Sequence, residues 1–454
     1  MFLLRLLLLF MFLTLTAMPA FAATGEEKPY SIYLDLRYRY EYQHHFNLKA
    51  YGENPAKGES CDGFWLHRLR VGGTLRLHPN LILAVGIQDA RVFESDLDAN
   101  SFFYSSKYDH ENNSYEDHWE LYQTYLELRN LPNSDWSLRA GRQSIAYGNN
   151  RIFGPGSWGN SGRYHWDAIK ISWRHDQNFI DLLWGGHILH EPEQFSLHNR
   201  HAQYGLGSYS HFQLADNWAI EPFYVLKTDE HDNYLGEKGN SDDLLCHNLG
   251  LRTTLDAKNY FLDATVVNQW GHYGDDDIEA WGGHLKFGHH FKESTWHPDL
   301  SLEYSYASGD TDPEDGTHEG FMGVFGARDK MYGRMNLLDW SNLHDLQCNV
   351  ELFPRKKMSL LMELHRFWLA SGKDGWSLNG SLYRDKSGRS GSRLGDEIDL
   401  IFSCDLPLPK SSRNDSLMLM LGYSHFWPGP FVKNISDNSA ADWFFAQLQY
   451  HYQI

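Results

Sequence analysis

The feature that most limits what this chain can fold into is a strict alternation of residue class. Between Ile32 and Gln43, the positions Ile32, Leu34, Leu36, Tyr38, Tyr40 and Tyr42 share one parity. Tyr33, Asp35, Arg37, Arg39, Glu41 and Gln43 share the other. Successive side chains of a strand point to opposite faces, so this stretch sorts into an apolar, aromatic face and a mostly polar, charged one. A helix would scatter both classes around its circumference. The pattern recurs: Leu69, Val71, Leu75 and Leu77 oppose Arg68, Arg70, Thr74 and Arg76, and Ile169, Ile171 and Trp173 oppose Lys170, Ser172 and Arg174. Leu302, Tyr304 and Tyr306 oppose Glu303, Ser305 and Ala307, and Ile398, Leu400 and Phe402 oppose Glu397, Asp399 and Ser403.

The connections carry more than any one strand. Short breaks rich in Pro, Asn, Asp and Ser fall at 78–80, 131–135, 175–178, 214–217, 256–259, 292–298, 354–357 and 407–415, and these residue types favour turns. Longer polar stretches lie between them, at 44–63, 93–118, 148–165, 189–202, 229–245, 271–278, 309–342, 370–394 and 428–439. Eight short and nine long connections in strict alternation give eighteen strands, with both termini on the short-turn side. Short periplasmic turns and long outer loops are the asymmetry of an outer-membrane barrel, and a secreted sandwich has no reason for it. The last strand fits: Phe444, Ala446, Leu448, Tyr450, Tyr452 and Ile454 form one face, with Phe445, Gln447, Gln449, His451 and Gln453 on the other. The expected fold is all-β, a single transmembrane antiparallel barrel.

Composition agrees. Met1 to Ala22 has Arg5, an apolar run and a small-x-small site at Ala20-Phe21-Ala22, the pattern of a secretory signal peptide. The expected division is therefore 1–22 signal peptide and 23–454 barrel. No other stretch reaches the roughly 18 apolar residues that a spanning helix needs. Mean hydropathy is negative, but a membrane barrel is half polar by construction. Aromatics make up 15% of the chain, enough for two interfacial girdles. Cys61, Cys246, Cys348 and Cys404 form no CxxC pair, which argues against a structural zinc site, and sequence alone chooses no disulfide among them.

Residues 141–168 carry a recognisable series: Gly141-Arg142-Gln143, Tyr147-Gly148, Arg151, Trp158, Asn160, Gly162-Arg163 and Asp167-Ala168. His365-Arg366-Phe367-Trp368-Leu369-Ala370-Ser371, Leu394-Gly395-Asp396-Glu397-Ile398-Asp399 and Leu421-Gly422-Tyr423-Ser424-His425-Phe426-Trp427 continue it. In order and spacing the chain resembles the alginate-export family of outer-membrane porins, with one departure at Asn149, where an acidic residue is expected. The resemblance implies an eighteen-stranded barrel, an arginine-rich constriction and passive export of an acidic, alginate-like exopolysaccharide.

The formal net charge is −19, which looks wrong for a pore that carries a polyanion. Nearly all the excess acid falls in the stretches 93–118, 229–245, 271–278 and 309–342, so the barrel wall is close to neutral. Asp310-Thr311-Asp312-Pro313-Glu314-Asp315-Gly316 has alternating oxygens, but Pro313 and the lack of a closing Glu spoil an EF-hand match. On the polar parity, Arg37, Arg39, Arg68, Arg70 and Arg76 gather on the first two strands and Glu363, Glu397 and Asp399 on later ones. Arg142, Arg151 and Arg163 lie in or beside 148–165, a Gly-, Asn- and Arg-rich segment suited to fold inward. Arg37, Arg39, Arg68, Arg70, Arg142, Arg151, Arg163 and Lys170 are therefore the candidate pore-lining residues, because guanidinium forks hold carboxylates. With 25 His, chance His–Ser–Asp groupings are easy, yet no GxSxG elbow and no HExxH pair occurs, so an outer-membrane hydrolase is a remote alternative. A porin for small solutes shares the fold and is the main alternative; a soluble lectin-like β-protein is more distant. The expected partners are an anionic polysaccharide or other solute, outer-membrane lipid and lipopolysaccharide, with a periplasmic secretion scaffold as a further candidate. No cofactor, metal or nucleic acid is called for.

Overall fold

The structure is a computed structural model. It describes residues 28–454 apart from 54–59, 98–101, 106–109, 112, 132–133, 155–157, 162–164, 190, 194, 196, 198–199, 327, 329 and 409–413. The expected signal peptide lies outside the described residues.

Eighteen antiparallel strands close into one barrel. They are β1 (Tyr30–His44), β2 (Cys61–His78), β3 (Leu81–Phe93), β4 (Asp117–Leu128), β5 (Trp136–Ser144) and β6 (His165–His175). Then follow β7 (Asn178–Ile188), β8 (His201–Ala215), β9 (Trp218–Leu235), β10 (Ser241–Ala257), β11 (Tyr260–Tyr273) and β12 (Asp276–His290). The last are β13 (Asp299–Ala307), β14 (Leu343–Arg355), β15 (Met358–Trp368), β16 (Arg393–Leu406), β17 (Asp415–Pro428) and β18 (Ala441–Gln453). Each strand pairs with its sequence neighbours, and β1 pairs with β18 from Tyr33↔Gln453 to His44↔Asp442. Ile32 N donates to Ile454 O at 3.1 Å and Ile454 N to Ile32 O at 2.9 Å, which completes the seam. Closure leaves no edge, as a strand protein in hydrocarbon requires.

The parity read from the sequence is the parity of the wall. Arg37 and Arg39 are buried inside, whereas Tyr38 is 49% exposed on the outside. Exposed aromatics form two belts: Tyr42, Trp65, Trp427 and Phe444 near the outer strand ends, and Trp218, Tyr260, Phe287 and Trp296 near the periplasmic ends.

Two expectations about the loops need correction. The stretches 229–245 and 271–278 are mostly strand: Leu235 pairs with Ser241 and Tyr273 with Asp276, so β9–β12 run past the membrane as a ladder. Its outward face is polar there and its inward face mixes acids with apolar residues (Asp229, Tyr234, Leu244, Asp276 and Ile278 are all buried), which hid the continuation. The stretch 309–342 is only partly an outer loop. Phe321, Phe325, Tyr332, Leu337 and Trp340 pack inside the barrel with Phe153, Trp166 and Tyr209. Several inward positions in that outer half are accordingly apolar; Val225, Val267 and Phe367 are fully buried. The four cysteines are all free.

Candidate functional site: a constriction built by two inward loops

The first inward loop follows β5. Tyr147 and Asn150 close a turn, with Asn150 N donating to Tyr147 O at 2.9 Å. Gly148 sits at φ +53, and a Cβ there would lie 2.7 Å from Arg252 Nη1 and 2.8 Å from the Tyr209 hydroxyl. Glycine is therefore required both by conformation and by the close approach to the wall. The Tyr147 ring stacks on Tyr209 at 4.4 Å, and its hydroxyl donates to Asp181 at 2.7 Å. Asn149 donates to Asp263 at 3.2 Å. Arg151 is buried in an ion pair with Glu303.

The chain then crosses to the opposite wall. Arg39 Nη1 donates to Trp158 O at 2.8 Å. Arg37 Nη2 donates to Gly159 O at 2.9 Å and to Asn160 Oδ1 at 3.0 Å, and Arg68 Nη1 reaches Gly159 O at 3.1 Å. Asn160 Nδ2 lies 2.7 Å from the Tyr115 carbonyl. The arginines of β1 and β2 thus hold the loop by its carbonyls, groups that would otherwise be buried without donors.

The second loop, 308–342, meets the first across the lumen. Phe325 N donates to Ile152 O at 3.0 Å, and Gly154 N to Phe325 O at 3.2 Å. Arg334 pairs with Glu363 on β15, and Met335 N donates to Glu397 Oε1 on β16 at 3.1 Å.

Between the loops and the wall, Trp158, Arg334, Asn336 and Trp443 border two cavities at once. The outer cavity, about 100 Å³, has Arg39, Glu41 and Arg328 in its wall. The inner one, about 520 Å³, has Arg70, Lys330 and Glu351. A third, about 580 Å³, lies beside β11–β14 and balances Lys286 and Arg151 against Asp263, Glu303 and Glu363.

The sequence candidates therefore have different surroundings. Arg39 and Arg70 border cavities; Arg70 also lies 4.0 Å over the Tyr122 ring. Arg37 and Arg68 are packed beneath the loop they hold. Arg142 sits in the wall between Glu120 and Asp167, at 3.1 and 3.0 Å, and Lys170 lies 3.4 Å from Asp181. Arg163 lies outside the described residues. Glu363, Glu397 and Asp399 are buried on the inward face, as their parity implied. Sequence reasoning missed Arg328, Lys330 and Arg334. Their signal was present: three cations within seven residues of an otherwise acidic stretch, set among Phe325, Met331, Tyr332 and Met335.

A closed barrel with aromatic belts and a charged lumen narrowed by its own loops is an outer-membrane channel. The sequence model of the alginate-export family matches residues 28–446, and the chain belongs to that family. It resides in the cell outer membrane. No curated protein matches it in sequence. Among solved structures it is similar to Pseudomonas aeruginosa OccD3 (OpdP), at 11% identity over 95% of this chain and 93% of that one, TM-score 0.59. It is also similar to P. aeruginosa OccK11 (OpdR), at 13% over 96% and 100%, TM-score 0.58. Acinetobacter baumannii OccAB2 aligns at 10% over 94% and 100%, TM-score 0.61. At these identities the likeness is one of fold.

Proposed function

We propose that the channel passes an anionic exopolysaccharide, alginate-like in carrying carboxylates on its sugar rings, by passive diffusion. The observation that carries this reading is the lining of the two adjoining cavities that share Trp158, Arg334, Asn336 and Trp443. Arg39, Arg70, Lys330 and Arg334 stand there with Trp158, Tyr122 and Trp443, against the two carboxylates Glu41 and Glu351. Cations attract carboxylates, and aromatic faces give apolar sugar faces a surface to lie on. The acidic excess does not oppose this. Asp232, Asp242 and Asp243 stand at the outer end of the β9–β10 ladder, and at physiological salt charges beyond a Debye length of about 8 Å are largely screened.

A second reading, a porin for small anions, draws on the same passage: the outer cavity is only about 100 Å³, so a polymer needs the loops to yield where a small solute needs less. Planar-bilayer recording separates the two. The wild type should be anion-selective in a potassium chloride gradient, and Arg70→Ser with Lys330→Ser should reduce that selectivity. Acidic oligosaccharides should block the current more strongly than neutral ones of equal length. Anion selectivity without such block favours the small-solute reading, and a cation-selective wild type sinks both.

A further inference from the structure

The acidic wall has a feature that passage of an anion does not use. In register, Glu363 on β15 lies opposite Asp399 on β16, and His365 opposite Glu397. Glu363, His365 and Asp399 are 7%, 3% and 0% exposed. One ligand atom of each lies within 4.8 Å of the others. His365 Nδ1 is 3.0 Å from Asp345 Oδ1, so in the neutral ring Nδ1 carries the proton and Nε2 carries the lone pair. Nε2 has no hydrogen-bond partner; it lies 3.7 Å from Asp399 Oδ2, which has none either. The other Asp399 oxygen accepts from the Ser424 hydroxyl.

This is the arrangement that orients metal ligands: a carboxylate fixes the histidine from behind, and hydrogen bonds fix the ligating carboxylate. A buried imidazole nitrogen and a buried carboxylate oxygen that face one another call for a cation between them, a proton or a metal ion. We propose that His365 Nε2, Asp399 and Glu363 form a site for one divalent transition-metal ion in the barrel wall. One imidazole nitrogen with carboxylate oxygens suits zinc, manganese or cobalt, whereas calcium and magnesium prefer oxygen alone. Glu363 also holds Arg334, and Glu397 holds the Met335 amide. The ion and the inward loop therefore draw on the same wall.

The test is titration of the EDTA-stripped, folded barrel in detergent with cobalt chloride, followed by calorimetry and visible absorbance. The wild type should take up one ion per chain in a saturable step. His365→Gln and Asp399→Asn should weaken that step by about tenfold or more, while His44→Gln leaves it unchanged. Glu363→Gln, which keeps a hydrogen-bond acceptor for Arg334, is the second variant should either buried change block folding, and it should weaken binding too. Folding is checked by heat-modifiable migration. Absence of a saturable one-to-one step in the wild type, or unchanged affinity in the folded variants, overturns the site.

Discussion

The Arg39 guanidinium lies 3.7 Å from the centre of the Trp158 ring, while its Nη1 donates to the carbonyl of that same residue at 2.8 Å. One wall residue thus fixes both the path of the inward loop and the orientation of the ring that narrows the passage. Trp158 is held on its other side by Trp443 at 5.2 Å and Phe445 at 4.6 Å.

Replacing that ring should open the passage. A cation–π contact contributes about 0.5–2 kcal/mol, so Trp158→Ala removes part of the loop's tether and also the bulk at the narrow point. Single-channel recording should show higher mean conductance and more frequent transitions between levels. A conductance equal to that of the wild type would mean that the current flows elsewhere, through the cavity beside β11–β14.

The parity of β1 predicts opposite outcomes for adjacent substitutions. Leu36→Arg places a cation on the lipid face, at about 2–4 kcal/mol near the bilayer midplane, and should deplete folded protein from the outer membrane. Arg37→Leu should still insert, because the change faces the lumen. It removes one of the two guanidinium donors to Gly159 O and the donor to Asn160 Oδ1, so its channels should be noisier. Equal assembly of the two variants, scored by heat-modifiable migration, would overturn the register.

How far the sequence carried is visible in these residues. Strand number, closure and face were legible because lipid on one side and solute or charge on the other impose a period of two on every strand. That constraint ends at the membrane boundary: above it the β9–β12 ladder is polar outside and mixes acids with apolar residues inside, so its pattern resembles a loop. The candidate arginines of β1 and β2 were found by parity, but parity cannot distinguish Arg70, which borders a cavity, from Arg37, which is spent on a loop carbonyl. Those partners come from residues about 120 positions away, such as Gly159 and Asn160. Lys330 and Arg334 were hidden because a connection has no period to read.

The seam makes a further prediction. Tyr450 and Leu448 pair with Leu36 and Tyr38 across β18 and β1, so deleting Leu448 to Ile454 opens two edges at once. Unpaired backbone in lipid is not tolerated, and the product should be aggregated or degraded in the periplasm. A truncated chain recovered heat-modifiable from the outer membrane would count against closure through this pair.

The outer loops should respond to pH through Asp310. Its backbone N–H donates to Asp374 Oδ2 at 3.0 Å, and its Oδ1 accepts from the Asp312 amide at 3.1 Å. Burial, a hydrogen bond with Glu237, and the charges of Glu237 and Asp374 raise its pKa from the ordinary 3.8 to about 7. The group therefore keeps its proton in the folded loops at pH values where an unfolded chain has lost it. A raised carboxyl pKa adds stability that is complete below about pH 4 and is lost as pH rises through 7. Above that, charged Asp310 stands beside Glu237 and Asp374, with Arg384 Nη2 3.9 Å from both Asp310 and Asp374. Hydrogen exchange of segments 308–320 and 370–376 should accordingly slow at pH 5 relative to pH 8, after correction for intrinsic rates, with the protection falling between about pH 4 and 7 and level above that. Asp310→Asn mimics the protonated form and should flatten the profile at the slow level. A pH dependence that survives in Asp310→Asn would assign the response to another group and break the link between these loops and Asp310.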